Sequence, residues 1–376
     1  NELYGMNEGD EVLKLIAGLL QTYAEEKGGI ASRSDADNFS LYIPHQESYE
    51  PLFDVVQEAI DSDPEIYTTQ IRIGINNELD DTEDRLEMAF ERARMAAEKI
   101  EDNANEVIAY YDSEMRKQRL FEERLIRDIA NAMVKGELLV FYQPKYDVTG
   151  EKPVLRGAEA LVRWNHPDYG MLSPGNFISL FEENGMIQLM DDFVWRQAAA
   201  QVKKWKDEFG VTIPISVNVS RIDIQDENIV DEISKIVSEA QIEPSELHLE
   251  ITESAYASDT KQLIETVQRF RDKGFMIEMD DFGSGYSSLN MLAELPIDIL
   301  KVDMRFVRNL MMDRKNIRMM ELIMGIAEFL DVPVVAEGVE DGEQLKALKD
   351  VGCQMIQGYY FSKPVSPREF AFFFKE

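Results

Sequence analysis

From Gly136 to the C-terminus, eight short apolar runs alternate with amphipathic helical stretches, and this alternation limits the possible folds more than any other feature. The runs are Leu138–Tyr142, Gly157–Arg163, Ile213–Val219, Leu247–Thr252, Phe275–Met279, Ile299–Val302, Val332–Ala336 and Met355–Gln357. Met190–Phe209, Asp226–Ala240, Lys261–Lys273, Ile317–Leu330 and Gly342–Lys349 lie between many of them and repeat apolar residues at helical spacing. Strands that alternate with helices build a parallel α/β sheet, and eight of them predict a (β/α)₈ barrel. Such a barrel carries its chemistry at the C-terminal ends of its strands.

Six acid or amide residues end or follow these runs: Glu159, Asn218, Glu250, Asp280, Asp281 and Glu337. None has an evident basic neighbour in sequence. Taken singly, each reads as a cap or a solvated residue, Asn218 as a turn former and Lys301 as a surface lysine or an ion-pair partner. Gathered at one end of a barrel, the carboxylates would repel strongly unless cations sat among them. Oxygen ligands of this kind suit Mg²⁺ or Mn²⁺ rather than zinc. The three histidines, His45, His166 and His248, lack metal-ligand spacing.

Composition narrows the partners. With 72 acidic against 39 basic residues the net charge is −33, which excludes a DNA or RNA polymer as partner because phosphate backbones need basic patches. A small phosphorylated ligand stays compatible, since bound divalent ions invert the local field. One cysteine, Cys353, allows no internal disulfide and fits a reducing, cytoplasmic setting. No apolar stretch is long enough to span a bilayer. The first residues, Asn1-Glu2-Leu3-Tyr4-Gly5, read as the inside of a domain, so an upstream sensor or membrane tether is expected.

A second regime precedes residue 112. Val12–Glu26, Tyr49–Ile60 and Thr82–Ile100 read as helices, while Phe39–Ile43, Thr68–Ile75 and Val107–Tyr111 read as strands, an α+β order. The expected division is a domain over 1–111, a linker helix over 112–136 and the barrel over 137–376. In the linker, Phe121, Leu125, Ile129 and Met133 recur at i+4, a stripe that fits packing on a neighbouring domain or a homodimer seam.

Glu159-Ala160-Leu161-Val162-Arg163-Trp164 resembles the motif that names the EAL domain, the cyclic di-GMP phosphodiesterase family. The similarity extends over Tyr142-Gln143-Pro144, Ser216-Val217-Asn218-Val219-Ser220 and Glu250-Ile251-Thr252-Glu253. It continues through Asp280-Asp281-Phe282-Gly283-Ser284-Gly285-Tyr286, Leu300-Lys301-Val302-Asp303, Glu337-Gly338-Val339-Glu340 and Gln357-Gly358-Tyr359, in the family's order. The resemblance implies an EAL-type barrel that opens cyclic di-GMP to linear pGpG with two divalent ions. Glu159, Asn218, Glu250 and Asp280 would hold one ion, and Asp280, Asp281 and Glu337 the other. Lys301 would position the attacking water and offset charge in the transition state. Gln143, Arg163 and Gln357 are the implied substrate contacts. Glu253 would brace the loop after Asp281. Ser284 supports that loop where the family usually carries threonine, and Lys145 occupies a position expected to be apolar. The alternative is a silent receptor that binds cyclic di-GMP and signals through partners.

The N-terminal stretch is similar to a GGDEF domain, the diguanylate cyclase fold, lacking its start. Its signature position reads Asp35-Ala36-Asp37-Asn38-Phe39, so both glycines and the glutamate are replaced. Glu26-Lys27-Gly28-Gly29 replaces the product-inhibition motif. The resemblance implies a structural or dimerising domain, with GTP binding as the sharper expectation from Gly9-Asp10 and Asp37.

Overall fold

The computed structural model describes residues 6–35, 37–62, 71–77, 86–102, 106–253, 255, 260–283, 296–310 and 312–375. The chain divides into two compact units, Asn1–Arg124 and Leu125–Glu376.

In the first unit, helix Met6–Glu26 is followed by strands β1 (Ile30–Asp35) and β2 (Asn38–Tyr42), which pair antiparallel. Asp35 and Asn38 of the degenerate signature are paired at the ends of these strands, and Ala36 lies outside the described residues. Strands β3 (Ile73–Ile75) and β4 (Ile108–Tyr110) pair in parallel. A core forms where Leu20, Tyr23, Leu52, Val56 and Ile60 meet Phe39, Leu41 and Ile73. Strand β1 was not anticipated, because Ile30-Ala31-Ser32-Arg33 shows no clear alternation. Of the expected strand Thr68–Ile75, residues 68–70 lie outside the described residues and Ile73–Ile75 form β3.

The second unit is an eight-stranded barrel. Its strands are β5 (Leu138–Asp147), β6 (Val154–His166), β8 (Ile215–Asn218), β9 (Leu247–Thr252), β10 (Ile277–Phe282), β11 (Ile299–Val302), β12 (Val334–Ala336) and β13 (Met355–Gln357). The short β7 (Gly170–Leu172) is added outside the ring, on β6. Around the ring the order is β5, β13, β12, β11, β10, β9, β8, β6 and back to β5. The ring departs from a wholly parallel barrel at β5, which runs antiparallel to both β6 and β13. The cause lies in the connection: only residues 148–153 join β5 to β6, too few for a parallel crossover. As hairpin partners these two strands also run longer than their apolar cores suggest.

Most strands are buried on both faces. On β9, Leu247, Leu249 and Ile251 face the surrounding helices, while His248, Glu250 and Thr252 face inward. Helix Ile187–Phe209 closes one side with Met190, Val194, Trp195, Ala198, Val202 and Trp205, a 3.6-residue stripe that is fully buried. Trp205 stacks on Phe370 at 4.6 Å and meets Tyr142 of β5 edge-on at 5.0 Å. It links helix, barrel wall and C-terminal segment in one aromatic cluster. Replacing Trp205 by alanine is expected to cost about 3–5 kcal/mol of barrel stability, read from urea unfolding.

Candidate functional site

Inward-facing residues of an eight-stranded barrel meet at its axis, because the ring is just wide enough for side chains to fill. Here they are charged. Lys301 on β11 is fully buried. Its Nζ lies 2.6 Å from Glu337 Oε1, 2.9 Å from Glu250 Oε2, 3.0 Å from Asp280 Oδ1 and 3.6 Å from Glu159 Oε2. Glu159 on β6 stands four strands away from β11 in either direction around the ring, so this pair spans the barrel. Four of the six expected acid or amide residues thus converge on the lysine expected to act with them.

Glu159 does not end its strand, which continues to His166; its pairing with β8 is what stops there, at Ser216. Asn218 ends β8 beside Glu250, and its carbonyl accepts a 2.9 Å hydrogen bond from Trp195 Nε1. Gln143 faces Glu159 across the hairpin. Gln357 Nε2 donates to Gln143 Oε1 at 3.1 Å and to Glu159 Oε2. Gln143 and Gln357, expected at the substrate, thereby also fix a carboxylate. Arg163 is half-buried near the same end of β6, and its Nη1 donates to the Val162 carbonyl at 2.7 Å. Ser284 lies outside the described residues.

Successive strand residues point to opposite faces, so an Asp-Asp pair cannot serve one site from a regular strand. The chain solves this at Asp281, whose φ of +55° is left-handed, and where the register to β11 shifts between Met279 and Phe282. Asp281 N–H donates to Asp280 Oδ1 at 2.9 Å. Left-handed backbone at a non-glycine residue is strained and must be held by its surroundings. Glu253 supplies part of that hold: its Oε2 accepts from Gly283 N–H at 2.7 Å.

The electrostatics follow from burial. Desolvation works against the Lys301 charge, but Asp280, Glu159, Glu250 and Glu337 together hold its pKa well above the ordinary lysine value. Burial pushes Glu337 up to about 8, helped by Asp280 and Glu159 and opposed by Lys301. Burial, then Asp280 and Asp303, pushes Asp281 up to about 6. Burial works against the Glu159 charge, but Lys301 and Lys145 hold its pKa below the ordinary glutamate value.

Whether the donor set fits divalent ions can be judged from its oxygens. Glu250 Oε2 and Glu337 Oε1 are buried without an aligned hydrogen-bond donor among the described residues, although both sit within ion-pair distance of Lys301. Among the described residues no three acidic, His or Cys groups enclose a common point closely enough to ligate an ion without side-chain shifts. The chemistry fits nonetheless: oxygen donors, anionic and desolvated, suit a hard cation.

Sequence reasoning missed the layer beneath. Lys145 of β5, Ser216, His248 and Glu278 lie inward, two residues from Gln143, Asn218, Glu250 and Asp280 in turn. Lys145 is not a substitution in an apolar wall; its ammonium binds Glu250 and Glu278 at 2.8 and 2.6 Å. Strand alternation from Gln143 could have signalled it.

Residues 126–364 match the EAL domain, and residues 1–106 match the diguanylate cyclase GGDEF domain. The chain belongs to the EAL domain family. Its N-terminal part is a partial GGDEF domain. The cyclic di-GMP phosphodiesterase NbdA of Pseudomonas aeruginosa is 29% identical over 97% of this chain and 45% of its own length. The cyclic di-GMP phosphodiesterase PdeR of Escherichia coli is 34% identical over 69% of this chain and 39% of its own length. The chain thus spans less than half of either relative. A solved structure titled a PaMucR phosphodiesterase in complex with c-di-GMP superposes with a TM-score of 0.63 at 32% identity, covering 66% of this chain and 99% of that one.

Behind Asn218, helix Ile187–Phe209 also presents Asp191, buried against Asp223. Burial, then the Asp223 charge, raises Asp191 well above the ordinary 3.8. The folded state therefore keeps a proton that the unfolded chain releases near pH 4, and stability falls as pH rises above that point. Asp191→Asn is expected to flatten this dependence and raise the urea midpoint at pH 8 more than at pH 5.

Proposed function

We propose that the barrel hydrolyses cyclic di-GMP to linear pGpG using two Mg²⁺ or Mn²⁺ ions. The observation that carries this reading is the convergence of Glu159, Glu250, Asp280 and Glu337 on one buried ammonium inside an EAL barrel. The named phosphodiesterase relatives support it.

Glu159, Asn218, Glu250 and Asp280 would hold one ion, and Asp280, Asp281 and Glu337 the second. When bound, such ions acidify a water and neutralise charge on the attacking and leaving oxygens. The remaining roles fall to the chain itself. Asp280, Glu159, Glu250 and Glu337 raise the Lys301 pKa and so favour its ammonium form. Lys301 orients a water through its N–H donors and stabilises negative charge on phosphate oxygens, in a dry site where such donors are strong. Arg163 offers a planar fork that matches phosphate oxygens, and its guanidinium is already partly desolvated. Gln357 and Gln143 keep the Glu159 carboxylate turned toward the axis. Glu253 and Gly283 hold the turn that brings Asp281 to the site.

The test is incubation of the full chain with cyclic di-GMP and Mg²⁺ or Mn²⁺, resolving pGpG from GMP by chromatography. Conversion to pGpG is expected, and Glu159→Ala should lower it by about a hundredfold or more. Intact ligand bound by both proteins would favour a receptor.

The partial GGDEF domain is proposed as a structural or regulatory unit, since its signature sequence reads Ala36 and Asn38 where the resemblance implies glycine and glutamate. Calorimetric titration with GTP and Mg²⁺ is expected to change the hydrolysis rate if the unit regulates. No heat and no rate change would leave it structural.

A further inference from the structure

The polar layer beneath the carboxylates is unused by the chemistry described above. On β5, β8, β9 and β10 the residues two positions from Gln143, Asn218, Glu250 and Asp280 are Lys145, Ser216, His248 and Glu278, whereas those two positions from Glu159, Lys301, Glu337 and Gln357 are Gly157, Ile299, Val335 and Met355.

Lys145 is 2% exposed, and its Nζ donates to Ser216 Oγ at 2.7 Å, Glu250 Oε1 at 2.8 Å and Glu278 Oε2 at 2.6 Å. An ammonium has three donors, and here each has an acceptor. Ser216 Oγ donates onward to Glu278 Oε1 at 2.7 Å, and His248 Nδ1 lies 2.7 Å from the same oxygen. Strands β5 and β10 stand four apart around the ring in both directions, so the Lys145–Glu278 pair crosses the barrel axis.

Replacing a buried ion pair by apolar side chains is often neutral or stabilising, so packing alone does not account for this network. Its one link upward is Glu250. That carboxylate gives Oε1 to Lys145 and turns Oε2 to within 2.9 Å of Lys301. A carboxylate with both oxygens free could rotate or bind an ion through both.

We infer that Lys145, held across the barrel by Glu278, is a positioning residue that occupies one oxygen of Glu250 and commits the other to the cation site. Ser216 and His248 complete the Glu278 shell, so the carboxylate opposite Lys145 has no freedom to swing away. The role rests on the metal site proposed above and concerns a partner of a ligand, which typically changes metal affinity as well as rate.

The test is Mn²⁺ binding to the full chain, by calorimetry and by the electron paramagnetic resonance of free Mn²⁺, alongside urea unfolding. Lys145→Met leaves Glu278 buried without its cation and could prevent folding, so Lys145→Met/Glu278→Leu is measured beside it. The double variant is expected to unfold near the wild-type midpoint yet bind Mn²⁺ about ten- to a hundredfold more weakly at one site. Wild-type affinity in the double variant overturns the positioning role while leaving the metal site standing. Wild-type protein that binds no Mn²⁺ overturns both. In Glu278→Gln, a fall in Mn²⁺ affinity supports the role, and an unchanged affinity overturns it.

Discussion

Two ion pairs cross the barrel on its diameters, Lys145 to Glu278 and Lys301 to Glu159, and the rest of the second unit is arranged around them. Barrels of this size usually fill their axis with branched apolar layers. Here the axis is ionic, with Glu159, Glu250, Glu278, Asp280 and Glu337 set against two lysines. At an effective dielectric of about 20, each unrelieved pair of like charges at roughly 4 Å costs about 4 kcal/mol. Such an interior cannot be what stabilises the fold. Stability must come from outside the wall, where Ile215, Val217, Leu249, Ile251, Met279 and Leu300 are fully buried. Separating the two faces of each strand separates the two tasks: apolar packing outside, chemistry inside.

That separation explains why the site can be both strained and well positioned. Asp281 adopts a left-handed backbone and a desolvated carboxyl, two unfavourable features in one residue. Both persist because neighbouring groups are themselves fixed: Glu253 caps the Gly283 amide, and Asp303, which bonds to Asp281, is gripped by Arg305 at 2.8 Å. A charged group in a dry, prearranged setting interacts more strongly than it would in water and needs no reorganisation during reaction.

Much of this architecture is legible from residues alone, and the parts that are not have definite causes. Eight runs with helices between them announce a barrel, and acids at their ends announce where its chemistry lies. The antiparallel β5 is hidden because periodicity carries no direction; only the short connection of residues 148–153 contains that information. Glu159 looks like a strand terminus because its apolar run is short, yet hairpin pairing with β5 carries the strand to His166. Lys145 stands out in the sequence only as a departure and Glu278 not at all, because only a closed ring brings β5 opposite β10. In the first unit, β1 escapes because its side chains alternate poorly and its pairing with β2 supplies the order.

Net charge adds a final constraint. The whole chain carries −33, and its barrel axis holds more carboxylates than lysines. An anionic ligand approaching this end of the barrel meets a repulsive field unless cations enter with it. Under the proposed function, binding of ligand and of cations would be coupled, each raising the affinity for the other by the same factor. Lys301 cannot replace those cations, because its single charge is already shared among four carboxylates. What it can do is keep the carboxylates together between binding events. One ammonium shared by four carboxylates leaves them incompletely neutralised, and under the proposed two-ion reading that residual negative charge is what would favour uptake of a cation.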